Sequence, residues 1–278
     1  STYPIRLDVV KKHGDNWTNP ENIVTLGPFK LKTWDHDKAL VLERNDIYYG
    51  EKPKIQYIVG YMINEMSTAI NLFDKGSIDA QTNLPTTELQ ALKKRPEFIE
   101  SGILSLYYYG FNTKKAPMDN KLVRRAISSA INRSEVTTLL AGGQIPLTSW
   151  VPPGMFGYEA EIGTVFDVEK ANKLLDQAGY KDRSKFPTIS LGFNTNENHQ
   201  RIAENVQAQL KKNLGINVEL KNEEWKVFLN SLKVDPPQIY RMGWLADYPD
   251  PDNFLNLMTS YSDNNHTNWG SSEFDSLI

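Results

Sequence analysis

Residues 189–220, ISLGFNTNENHQRIAENVQAQLKKNLGINVEL, decide the fold. Ile189, Leu191 and Phe193 alternate as a strand; Ile202, Val206, Leu210 and Leu214 share one face of a helix that Gly215 can end; Ile216, Val218 and Leu220 alternate as a second strand. Strand, helix and strand in that order make a crossover unit with parallel strands. Open α/β sheets bind ligands at the carboxyl ends of such strands, here the loop 194–198 and the helix start that carries His199.

The residues that follow extend this sheet. A helix over 224–233 leads through Asp235-Pro-Pro237 into a short strand at 238–242. If that strand is parallel to the other two, the stretch Arg241-Met-Gly-Trp-Leu-Ala-Asp-Tyr-Pro-Asp-Pro251 opens onto the same crevice. Arg241, Trp244 and Asp247 then converge with His199 and Trp225.

Toward the N-terminus, Asp167 is placed to cap a helix carrying Ala171, Leu174, Leu175 and Ala178, and Ser134 to cap one ending at Gly142-Gly143. Leu122, Val123, Ala126, Ile127, Ala130 and Ile131 mark one face of a further helix. Before them the pattern predicts strands at 55–59, 79–83 and 103–109, a helix at 66–75 closed by Gly76, and a short helix at 86–94. Residues 1–60 read as β-rich, with alternation in Phe29-Lys-Leu31 and Ala39-Leu-Val-Leu-Glu43 and turns at Gly14-Asp15 and Gly27-Pro28. The change from mixed β to helix-rich pattern sets a boundary between residues 104 and 105.

Composition narrows the function. The 31 basic and 34 acidic residues are mixed along all 278 positions, with no basic block able to track phosphates, so nucleic acid is not expected as a partner. No apolar run reaches the length of a membrane span, and the first residues lack the regions of a signal peptide. With no cysteine there is no disulfide, thiolate nucleophile or cysteine metal site. The 6 Trp, 13 Tyr and 11 Phe often flank Gly, Asn, Asp or Pro, a setting that suits flat walls for a flexible ligand as well as ordinary packing.

Enzyme signatures for a nucleophile elbow, a zinc helix, a phosphate loop or a dinucleotide turn are absent, and no cofactor or metal is expected. Four scattered histidines do not make a metal site, and Asp247, Asp250 and Asp252 around two prolines read first as turn-formers. Glu224 and Asp247 could act as acid and base on a glycosidic bond, an alternative their spacing does not decide. Asp247 sits beside Trp244, Leu245 and Tyr248, and a partly desolvated carboxylate wants a cation: a ligand's ammonium group, or Arg241 internally. Trp225 and Trp244 suit pocket walls and core packing equally. To meet a ligand carboxylate as an ion, His199 would have to be protonated, which a helix N-terminus opposes.

Taken together these residues resemble the oligopeptide-binding proteins of bacterial ABC importers, family 5 of the extracytoplasmic solute-binding proteins. The blocks that carry the resemblance run nearly end to end. They are the stretch from Gly14 to Leu31 that ends in Gly27-Pro-Phe-Lys-Leu31, Leu42-Glu-Arg-Asn45 with Tyr48-Tyr49, Lys75-Gly-Ser-Ile-Asp79, Val123-Arg-Arg-Ala-Ile-Ser-Ser-Ala-Ile-Asn-Arg133, Asn222-Glu-Glu-Trp-Lys-Val-Phe-Leu229 and Gly243-Trp-Leu-Ala-Asp-Tyr-Pro249.

The resemblance implies an α/β fold of the periplasmic-binding-protein type II, a two-lobed Venus-flytrap with mixed sheets and flanking helices. Residues 1–104 would be a partial segment of lobe I and 105–278 lobe II, in a fragment that lacks the N-terminal part and the final return to lobe I. It implies a non-catalytic receptor for short peptides that serves ABC permease subunits, periplasmic or held to the membrane by a lipid anchor outside this chain. Asp247 falls on the position for the peptide's α-amino group, Arg241 and His199 on positions for its carboxylate. Trp225, Trp244, Leu229, Tyr108 and Asn264 fall among the surrounding contacts, while the backbone of Gly243 and Leu245 would pair with the ligand as an added strand. Two departures concern the carboxylate side: Gly110 stands where such members can carry an acid, and Leu140 and Ala141 where they can carry a lysine.

Overall fold

The computed structural model describes residues 4–278. The chain forms two compact units, the first ending at Asn83 and the second spanning Leu84–Ile278. In the first, helix α1 (Leu7–His13) precedes a hairpin of β1 (Phe29–Asp35) and β2 (Ala39–Arg44), and β3 (Tyr57–Tyr61) adds to β2 antiparallel in the order β1-β2-β3. Asp37, at φ 62°, supplies the left-handed residue that a three-residue hairpin loop needs. Asn45 is buried and fastens the turn to the end of β2. Its Nδ2 donates to the Gly27 carbonyl at 2.9 Å and its own N–H to that of Pro28 at 2.9 Å. The sequence blocks at 27–31 and 42–45 are thus one structural feature. Helix α2 (Met66–Asp74) buries Met66, Ala69 and Ile70, and Gly76 follows at φ 68°.

Two expectations fail at the end of this unit. Residues 79–83 form no strand, and the short helix after them is a single turn, α3 (Leu89–Leu92). The second unit starts at Leu84, ahead of the pattern change at 104/105, because the intervening residues are tied to it. Asn198 Nδ2 donates to the Leu84 carbonyl at 3.5 Å, Arg201 to the Thr86 hydroxyl, and the Ala246 N–H to the Leu104 carbonyl at 2.9 Å.

The second unit is built on a four-stranded sheet. Strand β4 (Ser105–Phe111) is followed by α4 (Lys121–Ser129), α5 (Arg133–Leu140) and α6 (Val168–Leu175). The crossover read from sequence then appears as β5 (Ile189–Asn194), α7 (Glu197–Leu214) and β6 (Val218–Glu223), with β5 and β6 parallel. Next come α8 (Trp225–Val234) and β7 (Ile239–Leu245), which is parallel to β5 and antiparallel to β4, giving the order β4-β7-β5-β6. Short helices α9 (Asp252–Leu255) and α10 (Ser272–Leu277) close the chain.

Local chemistry sets these boundaries. Asp167 caps α6 by accepting from the Lys170 N–H at 2.8 Å, and Gly215 ends α7 at φ 71°. The cap of α5 is Asn132, accepting from the N–H groups of Ser134 and Glu135 at 3.1 and 3.4 Å, and not Ser134, which lies inside the helix.

Side chains alternate across the sheet, so each face has its own core. On one face Ile189, Leu191, Phe193 and Ile239 pack with α4, α6 and the Ile202, Val206, Leu210 and Leu214 stripe of α7. On the other, Tyr240 and Met242 pack with Phe228 and Leu232 of α8, and Leu106 packs with Val151, Met155 and Phe254. Burying whole aliphatic side chains at roughly 1.5–3 kcal/mol each makes these layers the main source of rigidity beneath the crevice.

Candidate functional site

Strand β7 organises the site through the parity of its hydrogen bonds. In an antiparallel pair, alternate residues turn their N–H and C=O toward the partner. The Ala246 N–H donates to the Leu104 carbonyl and the Asn112 N–H to that of Gln238, so even-numbered residues of β7 face β4. Residues 239, 241, 243 and 245 therefore face the opposite side. There β5 pairs only as far as Gly192↔Tyr240. Beyond that point the peptide groups of Gly243 and Leu245 lie along an open edge, at the carboxyl ends of β5 and β6 and close to the starts of α7 and α8.

Arg241 and His199 lie together on the α7 face. Asn196 caps α7, accepting from the N–H groups of Asn198 and His199 at 2.9 and 3.3 Å, and this places the imidazole at the helix start. Arg241 Nη1 donates to Asn194 Oδ1 at 3.0 Å, and its guanidinium lies 4.8 Å from the Tyr107 ring centroid. The guanidinium is thus held by β5 and β4. Burial first, and then the Arg241 charge, push His199 down to about 3. A neutral imidazole can offer a hydrogen bond but not the positive charge that pairing with a carboxylate as an ion requires.

The other end of the edge is polar and fully tied. Buried Asn253 accepts through Oδ1 from Trp244 Nε1 at 2.7 Å and from the Asp247 N–H at 3.3 Å, orienting both the indole and the acidic loop. Asp247 itself is exposed. Tyr248 donates to Asp252 Oδ2 at 2.7 Å and the Asp252 N–H to Asp250 Oδ1 at 2.9 Å, so the neighbouring acids shape the turn. Trp225 is 44% exposed at the first position of α8, with Leu229 half-buried one turn on. Tyr108 stands edge-on to Trp150 at 4.8 Å, and burial pushes its phenol up to about 12.

Two residues weighed from sequence go elsewhere. Glu224 is the cap of α8, accepting from the N–H groups of Lys226 and Val227 at 2.7 and 3.3 Å, so it is not a free partner for Asp247. Asn264 sits in an exposed turn whose neighbours Asp263, Asn265 and His266 line a cavity of about 430 Å³ with Asn112 and Leu232, at the foot of the sheet. Gly110 has a steric origin: a Cβ there would run into the ring of Tyr240, its direct partner across β4 and β7.

Sequence reading missed Tyr107, Tyr109, Asn194 and Asn253. The three consecutive tyrosines 107–109 were a visible signal; the isolated asparagines gave none.

The chain matches the bacterial extracellular solute-binding proteins, family 5 Middle, over residues 1–266. It is 37% identical over 290 residues to the oligopeptide-binding protein OppA of Bacillus subtilis, covering 99% of this chain and 53% of that protein. Among solved structures it superposes on a periplasmic oligopeptide-binding protein of Borrelia burgdorferi with a TM-score of 0.91 at 37% identity, covering 99% of this chain and 56% of that one. Haemophilus influenzae OppA in complex with RPPGFSPFR gives a TM-score of 0.91 at 31% identity, with 98% and 56% covered. The chain therefore spans about half the length of the relatives it matches. With the matched region taking in both compact units and the open edge of β7, the chain belongs to family 5 of the bacterial extracellular solute-binding proteins.

Proposed function

We propose that this chain is the peptide-capturing portion of an extracytoplasmic receptor that hands oligopeptides to the permease of an ABC importer, with binding by lobe closure and no chemical step. One observation carries the reading: the peptide groups of Gly243 and Leu245 are left open between a guanidinium and a carboxylate. An extended peptide pairs with such an edge through its backbone, which makes side-chain identity secondary. Asp247 then meets the peptide's α-amino group, Arg241 and His199 the carboxylate side, and Trp225, Trp244, Leu229 and Tyr108 wall the side chains. The first unit belongs to lobe I and the second to lobe II, and the receptor works in the periplasm or anchored by lipid at the outer face of the membrane. The peptide complex of the Haemophilus relative supports the ligand class.

Calorimetry with mixed short peptides tests this. Heat of binding is expected, and Asp247→Ala should weaken free-amine peptides by roughly a hundredfold while N-acetylated peptides bind both proteins alike. No heat from any peptide, or equal affinity in the variant, overturns the reading.

A further inference from the structure

Three polar atoms around Arg241 are shielded from solvent. Arg241 Nε, His199 Nδ1 and Tyr109 Oη are buried, and none has a hydrogen-bond partner in the protein. One ring touches all three residues. The Tyr107 centroid lies 4.8 Å from the Arg241 guanidinium carbon, 5.5 Å from the His199 ring centre and 6.0 Å from that of Tyr109. Tyr107 is itself 41% exposed, so its ring is the layer between these groups and water.

Register explains the placement. Tyr107 is directly opposite Gly243, and a Cβ at 243 would stand 3.4 Å from Arg241 Nη2 and 3.0 Å from the Leu106 carbonyl oxygen. The missing side chain leaves a notch through which Nη2 reaches the open edge.

Resting on the peptide-binding reading, we propose that Tyr107 is a positioning residue: its ring roofs Arg241 and His199, keeps the imidazole out of water, and leaves Arg241 as the single cation presented to the ligand through the notch at Gly243. The subsite then takes an end group with one negative charge, a lone carboxylate, in preference to a dianion. The groups bearing on His199 are Arg241 from β7, the Tyr107 ring from β4 and the Asn196 cap of its own helix, whose first turn also carries Glu197. With Arg241 as the charge that acts on it, removing the roof restores water and lets the imidazole titrate.

The test pairs an NMR titration of His199 in the unliganded protein with calorimetry of a free-carboxylate peptide, on the wild type, Tyr107→Phe and Tyr107→Ala. Wild type and Tyr107→Phe should keep His199 neutral, with equal affinity at about pH 5 and about pH 8. Tyr107→Ala should move His199 toward its ordinary value of about 6.5, and binding should tighten roughly fivefold from the higher pH to the lower. A wild-type His199 that titrates near 6.5, or one unmoved by Tyr107→Ala, overturns the proposal. Because the titration needs no peptide, absence of peptide binding is read separately and bears on the ligand class alone.

Discussion

The two ends of the open edge of β7 are built on opposite plans. At Trp244 and Asp247, Asn253 satisfies an indole and a backbone N–H at once, and the acids beyond are used in the turn. At Arg241, three residues before Trp244 on the same strand, three polar atoms are buried without partners. Unpaired buried polar groups cost about 1–3 kcal/mol each, so the Arg241 end spends stability that the Trp244 end conserves. Binding sites tolerate such deficits where a ligand, not the fold, completes the hydrogen bonds. The contrast teaches that one end is scaffolded to hold a loop still, while the other keeps polar atoms unspent, as the proposed binding of a peptide carboxylate requires.

Substitutions can break this contrast. Gly110→Glu forces a side chain into the Tyr240 ring beneath both ends, and thermal unfolding should show a loss of about 3 kcal/mol or more, since overpacking adds to a buried charge. Asn253→Ala removes the anchor of the tied end and should cost about 1–3 kcal/mol in denaturant unfolding, with a shift in tryptophan emission as Trp244 loses its partner. Arg241→Met should do the reverse of Asn253→Ala. Stability is unchanged or rises by up to about 1 kcal/mol, while affinity for peptides with a free carboxylate falls in calorimetry. A large stability loss in Arg241→Met would erase the distinction between the two ends.

The crossover unit was legible because its signals are local: alternation in Ile189, Leu191 and Phe193, a helical stripe ending at Gly215, and alternation again. The cap of α5 was misplaced by two residues because Asn132 and Ser134 are both good capping residues and only geometry chooses between them. Residues 79–83, Asp-Ala-Gln-Thr-Asn, hold one good strand former, Thr82, and join neither sheet. Site residues divided in the same way. Arg241 and His199 could be brought together by reading β7 as parallel to β5, whereas Trp244 lies on the other face of that strand, packed with Leu106 and Phe254. Asn253 and Tyr107 could not, since their importance lies in contacts that cross from a turn or from β4 to β7. The chemistry of Asn253 is in what it accepts, and nothing in the Pro251 to Phe254 stretch announces it.

The parity of β7 makes chain length, not only residue identity, a determinant of the site. Because Gly243 and Leu245 face the edge only by virtue of odd and even positions, one residue inserted between 240 and 241 would turn their peptide groups toward β4 and exchange the faces of Arg241 and Trp244. A strand edge of this design tolerates point substitution of its side chains, yet an insertion or deletion at that point would silence it in a single step.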